Sequence, residues 1–345
     1  MTSATTTEPR AVIFGVAGPE LSDRERALFA EADPLGFILF ARNCVSPDQV
    51  RRLVGDLRES VGREDAPVLI DQEGGRVQRM GPPHWRAAPP AASFAKLAGT
   101  DEASALEAAW LNARLLAAEL ADLGISVDCA PVLDIPQPGA HDIIGDRAAG
   151  TTPADAAMFG RVICSGLLAG GVLPVIKHMP GHGRATADSH VSLPVVHDPR
   201  EELERVDFAP FHALNGMPWG MTAHVIYTAL DDARPGTISP TVINDVIRGA
   251  IGFHGVLLSD DLSMGALGGP LDQRALAALS AGCDVALHCN GDFEEMEAVA
   301  AVCPTVTRET RDRLAKAEAI RCAPEPFDID DAKDRVAAFL GRMAT

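Results

Sequence analysis

The chain is short of positive charge, and it lacks the features that would place it on a nucleic acid or in a membrane. Its 345 residues carry 30 Lys and Arg against 48 Asp and Glu, a formal net charge of −18. Such a surface repels phosphate backbones and anionic headgroups, so neither nucleic acid nor membrane is expected as a partner. An anionic small substrate stays possible, because local Arg and Lys can reverse the field inside a pocket. No apolar run approaches the roughly 18 residues of a membrane-spanning helix. The opening MTSATTTEPRAVIFG has no basic head followed by an apolar core, so no signal peptide is expected and the protein is expected in the cytoplasm. The seven cysteines form no CxxC pair, their number is odd, and several sit inside apolar runs such as SVDCAPV and GRVICSGLL. They read as buried, reduced thiols. A low-complexity linker, an internal repeat and a GxGxxG after the first apolar run are all missing. The last absence disfavours a dinucleotide-binding open sheet.

What is present is a recurring unit. Eight short apolar runs start at Ala11, Gly36, Pro67, Ser126, Val172, Gly220, Gly255 and Cys283, and amphipathic segments lie between them. Continuous hydrophobicity suits parallel strands covered on both faces. Helix starts are marked by SDRE at Ser22 and SPDQ at Ser46, both capping-box patterns, and by a second Ser-Pro start at Ser239. Helix stops are marked by Gly124 and by Gly170-Gly171. The pattern predicts an α/β fold, a single-domain (β/α)8 TIM barrel spanning residues 1–345, with a short C-terminal helical extension over about 323–345. A doubly wound open sheet is the alternative.

Barrel catalysis sits where strands end. Polar residues gather at those positions here: Asp71 and Glu73, Asp134, Lys177 and His178, His224, Asp260 and Asp261, His288 and Asn290. If Asp260 points into the barrel mouth, Leu258 and Val256 fill the barrel below it and Asp261 points away, toward backbone N–H groups. Periodicity alone leaves the opposite phase open.

The stretch IKHMPGHGRATADSH, from Ile176 to His190, concentrates three of the ten histidines. As a metal site it is poor, because Pro180-Gly181 interrupts the regular helix an HExxH site uses. Isolated structural histidine is a second possibility, most natural for His182. Acid–base chemistry is the third. Asp188 and His190 are two apart, so an extended segment puts both side chains on one side, where Asp188 can orient and polarise His190. A carboxylate nucleophile with a separate acid–base group is the logic of retaining glycoside hydrolysis.

Five spaced motifs, KHMPGHGRATADSH, IDQEGGRVQRM, GDRAAG, MTAHVIY and SDDLSMGAL, together resemble the family 3 glycoside hydrolases. They most resemble the single-domain bacterial β-N-acetylhexosaminidases of peptidoglycan recycling. The resemblance implies Asp260 as nucleophile, His190 as acid–base and Asp188 as its dyad partner. It implies Asp71, Arg79, Lys177 and His178 as sugar contacts, Arg147 as a contact near the N-acetyl side of the pocket, and a structural place for Asp261. It implies a retaining exo-hydrolase that releases non-reducing terminal N-acetylglucosamine from cell-wall fragments, as a monomer with a small carbohydrate substrate and no metal or organic cofactor. A phosphorylase using the same dyad, a metal-dependent hydrolase and a non-catalytic sugar-binding protein are the alternatives. Met179 stands where the family commonly has Phe, and Ala148-Ala149 where it has an aromatic residue.

Overall fold

The structure, a computed structural model, describes residues 8–341. The first seven residues of the N-terminus read as lacking a signal peptide, and residues 342–345 of the expected helical extension, lie outside the described residues. Eight parallel strands close a barrel in chain order: β1 Arg10–Gly15, β2 Pro34–Leu39, β3 Val68–Ile70, β4 Val127–Asp128, β5 Leu173–Met179, β6 Trp219–Thr222, β7 Val256–Asp261 and β8 Val285–His288. The expected TIM-barrel architecture is borne out, and each of the eight apolar runs supplies one strand. β4 is only two residues long because the run continues into Ala130-Pro131, and proline has no N–H for the ladder.

Alternation divides the core. Ile13, Ile38, Leu69, Val127, Val175, Met221, Val256, Leu258 and Leu287 pack together inside the barrel. Phe14, Phe37, Ile70, Ile176, Leu257 and Ala286 face the helix layer. Both faces of every strand are therefore buried, which is why the runs are continuously apolar.

Helix starts follow the local chemistry, with one exception. Ser22 caps Asp23–Ala32 with a complete capping box, its hydroxyl accepting from the Glu25 N–H while Glu25 returns to the Ser22 N–H. Such a cap stabilises by about 1 kcal/mol. The box expected at Ser46 is not formed, although Pro47 does open the helix Pro47–Ser60. Gln49 instead accepts from the Val45 N–H at 2.9 Å and donates to the Asn43 carbonyl at 3.0 Å, tying the helix to the loop leaving β2. The C-terminal helix Ile329–Gly341 packs Ala332 and Val336 on Leu111 and Leu115 of the helix Glu102–Asp122. Among the described residues, no helix is long and apolar enough to cross a membrane. The seven cysteines are free thiols, five of them buried.

Candidate active site

The floor of the barrel mouth is an ion network. Leu69 points inward, so Asp71, two residues on, also points inward past the end of β3. The ammonium of Lys177, near the end of β5, donates to Asp71 at 2.8 Å and contacts Glu73 at 2.7 Å. Arg79 holds the other Asp71 oxygen at 3.0 Å. Arg147 grips Glu73 with two bonds of 2.9 Å and donates a third to the Ile143 carbonyl. Burial alone would raise the two carboxyls, but Lys177 with Arg79 holds Asp71 low, and Lys177 with Arg147 does the same for Glu73. Burial likewise opposes the Lys177 charge, and Asp71 and Glu73 outweigh it. The result is a fixed set of charged donors and acceptors, suited to holding neutral hydroxyls. Glu73 was legible only as a strand-end carboxylate, and its partners are distant in sequence, Lys177 on β5 and Arg147 in the loop after β4.

The two adjacent aspartates differ in what they bond. Leu258 and Val256 are in the barrel interior and Leu257 is outside, so Asp260 shares the inward phase. Its carboxylate accepts the Asp261 N–H at 2.8 Å and lines the pocket. Burial would raise it, yet His178, together with the Asp261 N–H and His190, keeps it below the ordinary carboxylate value, ionised at neutral pH. Asp261 also borders the pocket, but its carboxylate is already committed: it accepts the N–H groups of Ser263 and Cys289 and the Ser263 hydroxyl.

The loop from Pro180 to His190 carries the dyad. Its root is fixed. Asp134, beyond β4, accepts from the His178 N–H, from the His182 N–H at 2.6 Å, and contacts His178 Nδ1 at 2.7 Å. The β5 ladder shifts register between Ile176 and Met179, and both Lys177 and His178 line the mouth. Further along, Asp188 contacts His190 Nδ1 at 2.8 Å and accepts the His190 N–H at 2.9 Å. Burial would raise the Asp188 carboxyl, but these contacts with His190 lower it. The His190 side chain is 60% exposed at the rim. Ser189, between the two, is buried and meets His182 Nε2 at 3.0 Å. His182 ties the loop root to Ser189 and also borders the pocket, its pKa pushed down to about 4 by burial. The loop also leans on the segment after β7, where the Gly265 and Ala266 N–H groups donate to the His190 and Ser189 carbonyls.

Every residue expected in the site, Asp71, Arg79, Arg147, Lys177, His178, His190 and Asp260, lines one pocket of about 500 Å³, with Asp188 immediately behind His190. That volume suits a sugar-sized ligand. Its apolar wall joins Ile38 and Phe40, from the run that forms β2, to Val77, Ile143, Ile144 and Met264, and these last four carried no sequence signal, since isolated apolar residues between the barrel strands look like any others. Among the described residues no group of His, Cys, Asp and Glu is arranged to hold a metal ion.

Known proteins resemble this chain over most of its length. Residues 12–319 match the model of the glycosyl hydrolase family 3 N-terminal domain. A β-hexosaminidase of Methylococcus capsulatus is 41% identical over 283 residues, covering 81% of this chain and 82% of that protein. Another from Aromatoleum aromaticum is 37% identical over 324 residues, covering 92% and 88%. The crystal structure of NagZ from Neisseria gonorrhoeae in complex with N-trifluoroacetyl-D-glucosamine superposes with a TM-score of 0.85 at 30% identity, covering 97% of this chain and 98% of that one.

Proposed function

The chain belongs to glycoside hydrolase family 3, and from that premise we propose that it is a retaining exo-β-N-acetylglucosaminidase. Its substrates are peptidoglycan fragments in which terminal N-acetylglucosamine is β-1,4-linked to (anhydro)muramic acid, with or without peptide. The observation that carries this assignment is the inward, ionised Asp260 sharing a pocket with a His190 backed by Asp188. Relatives that are β-hexosaminidases, and one solved with an N-acylated glucosamine, support the sugar.

In the first step the Asp260 carboxylate attacks the anomeric carbon. The bond from that carbon to the leaving oxygen breaks, and protonated His190 gives its proton to that oxygen. Asp188 engages Nδ1, which leaves Nε2 to transfer the proton and stabilises the imidazolium before transfer. In the second step neutral His190 takes a proton from water, the water oxygen attacks the anomeric carbon, and the ester to Asp260 breaks. Asp71, Arg79, Lys177 and His178 hold the sugar hydroxyls, and Arg147, already committed to Glu73, frames the N-acetyl side. We place the protein in the cytoplasm as a monomer, its residues forming one barrel domain with a helical extension.

Release of the phenol from an aryl β-N-acetylglucosaminide tests the assignment. Turnover in plain buffer, unchanged by EDTA, with a loss of roughly 10⁴-fold or more in Asp260→Ala, is the expected result. Turnover that needs phosphate and yields the sugar 1-phosphate would make the chain a phosphorylase. Near wild-type activity in Asp260→Ala would overturn the nucleophile.

A further inference from the structure

His224 is buried just beyond β6, and the catalytic steps above give it no task. Its two ring nitrogens are both engaged. Nε2 lies 2.9 Å from the Asp261 carbonyl, which can only accept, so Nε2 carries the proton. Nδ1 lies 2.6 Å from the Thr237 hydroxyl. Thr237 Oγ1 lies 2.8 Å from Thr222 Oγ1, and Thr222 Oγ1 receives the Asp260 N–H across a long 3.4 Å. Thr222 and Thr237 are themselves completely buried.

The direction of every bond follows. No carboxylate touches the ring, and burial depresses the His224 pKa, so the imidazole is neutral and Nδ1 accepts. Thr237 must then donate to Nδ1, Thr222 must donate to Thr237, and the Asp260 N–H donates to Thr222. The chain of bonds starts on the N–H of Asp260 and ends on the carbonyl of Asp261. Between those points lies the peptide whose N–H grips the Asp260 carboxylate at 2.8 Å.

We propose that His224, Thr237 and Thr222 are positioning residues of the reaction: a buried relay of hydrogen bonds that brackets the Asp260–Asp261 peptide and thereby aims the nucleophile at the anomeric carbon. The inference rests on Asp260 being the nucleophile. It assigns a task to the histidine of MTAHVIY and to a threonine that lies outside the sequence motifs. The relay crosses from β6 to β7 and also takes in the loop at Thr237, so it fixes the nucleophile relative to its neighbours rather than within its own strand.

The test is Thr237→Val against Thr237→Ser, with Thr222→Val as a second break if the first does not accumulate. Valine keeps the size and removes the hydroxyl, whereas serine keeps the hydroxyl. Each variant is assayed for kcat and KM on the aryl N-acetylglucosaminide and for melting temperature. Because KM in a two-step mechanism reflects both steps, single-turnover formation of the glycosyl-enzyme is also timed. The expected result is a kcat and glycosylation rate lowered about ten- to hundredfold in Thr237→Val, the size of loss a small misplacement causes. Binding of free N-acetylglucosamine should be unchanged, and Thr237→Ser should recover to within about twofold of wild type. Wild-type kcat in Thr237→Val, or equal losses in the valine and serine variants, overturns the relay while leaving Asp260 as nucleophile. A wild-type chain inert toward every β-hexosaminide overturns the assignment of Asp260, and the relay with it.

Discussion

Lys177 offers the most demanding check on the electrostatics of the pocket floor. Its side chain is 2% exposed and serves two buried carboxylates, Asp71 at 2.8 Å and Glu73 at 2.7 Å. Lys177→Met keeps the apolar stem and deletes the charge. Removing one partner of a buried ion pair costs about 3–5 kcal/mol, because the other charge is left uncompensated. Arg79 and Arg147 remain in place for Asp71 and Glu73, so the lower end, about 3 kcal/mol, is expected. That corresponds to a fall of roughly 4 °C in Tm for a chain of this size.

The loss should also depend on pH. In wild type both carboxyls are held low, so their contribution is present above the unfolded carboxyl pKa near 4 and is lost only below it. Without Lys177 their folded pKa values rise, and the folded variant binds a proton before the unfolded chain does. The deficit should therefore shrink as pH falls from about 7.5 to about 5. Urea unfolding followed by tryptophan fluorescence at the two pH values measures it. The double variant Lys177→Met/Asp71→Asn should be more stable than the sum of the singles by about 1 kcal/mol or more. A deficit under about 1 kcal/mol, or one equal at both pH values, would refute this account of the network.

Other expectations are more compact. Asp188→Asn should lower kcat roughly 10²- to 10⁴-fold, since His190 loses the anion that fixes its tautomer and supports its charged form, while binding of N-acetylglucosamine changes little; steady-state kinetics and ligand titration separate the two. The unfolded chain protonates His182 near 6.5 but the folded chain only near about 4. That contribution to stability is complete above 6.5 and is lost as pH falls toward 4, by about 3 kcal/mol, and His182→Gln should flatten this part of the stability–pH curve. A methyl at Gly265 would sit 2.9 Å from the His190 carbonyl and 2.7 Å from that of Val191. Gly265→Ala should therefore displace the dyad loop and reduce kcat with little change in Tm, and an unchanged kcat would show that the loop does not seat there.

The barrel was legible because it is built from signals local in sequence: continuous apolar runs for β1 to β8, and caps such as Ser22. Ser46 shows the limit, because its pattern was intact but Gln49 found better partners across a loop. The phase of Asp260 and Asp261 shows another. Alternation gives two answers to a strand with apolar residues on both faces, and only the packing of Leu258 inside and Leu257 outside decides between them. Residues that act through long-range contacts were hidden for the same reason. Glu73 meets Lys177 and Arg147 across the mouth, and Thr237 reaches His224 from a separate loop.

The nucleophile and the acid–base group are held in different ways, and the chemistry asks for that difference. Asp260 must meet one carbon along one line, in both steps, and it sits in a strand of the closed barrel with its flanking peptide bonded to fixed neighbours. His190 must reach a leaving oxygen in one step and a water in the next, and the leaving group has to depart between them. It sits on a loop whose root is locked by Asp134 and whose middle is tied by Arg184 to Asp198, Glu202 and Asp207, while Ser189 and His190 themselves are held by a bond from His182 to Ser189 and two backbone bonds to the segment after β7. The dyad supports this arrangement because Asp188 travels on the same loop. When the loop shifts, the 2.8 Å contact that orients the imidazole moves with it. An acid–base group oriented by residues on the barrel wall would lose its partner on moving, whereas a histidine with its own carboxylate on the same loop keeps it.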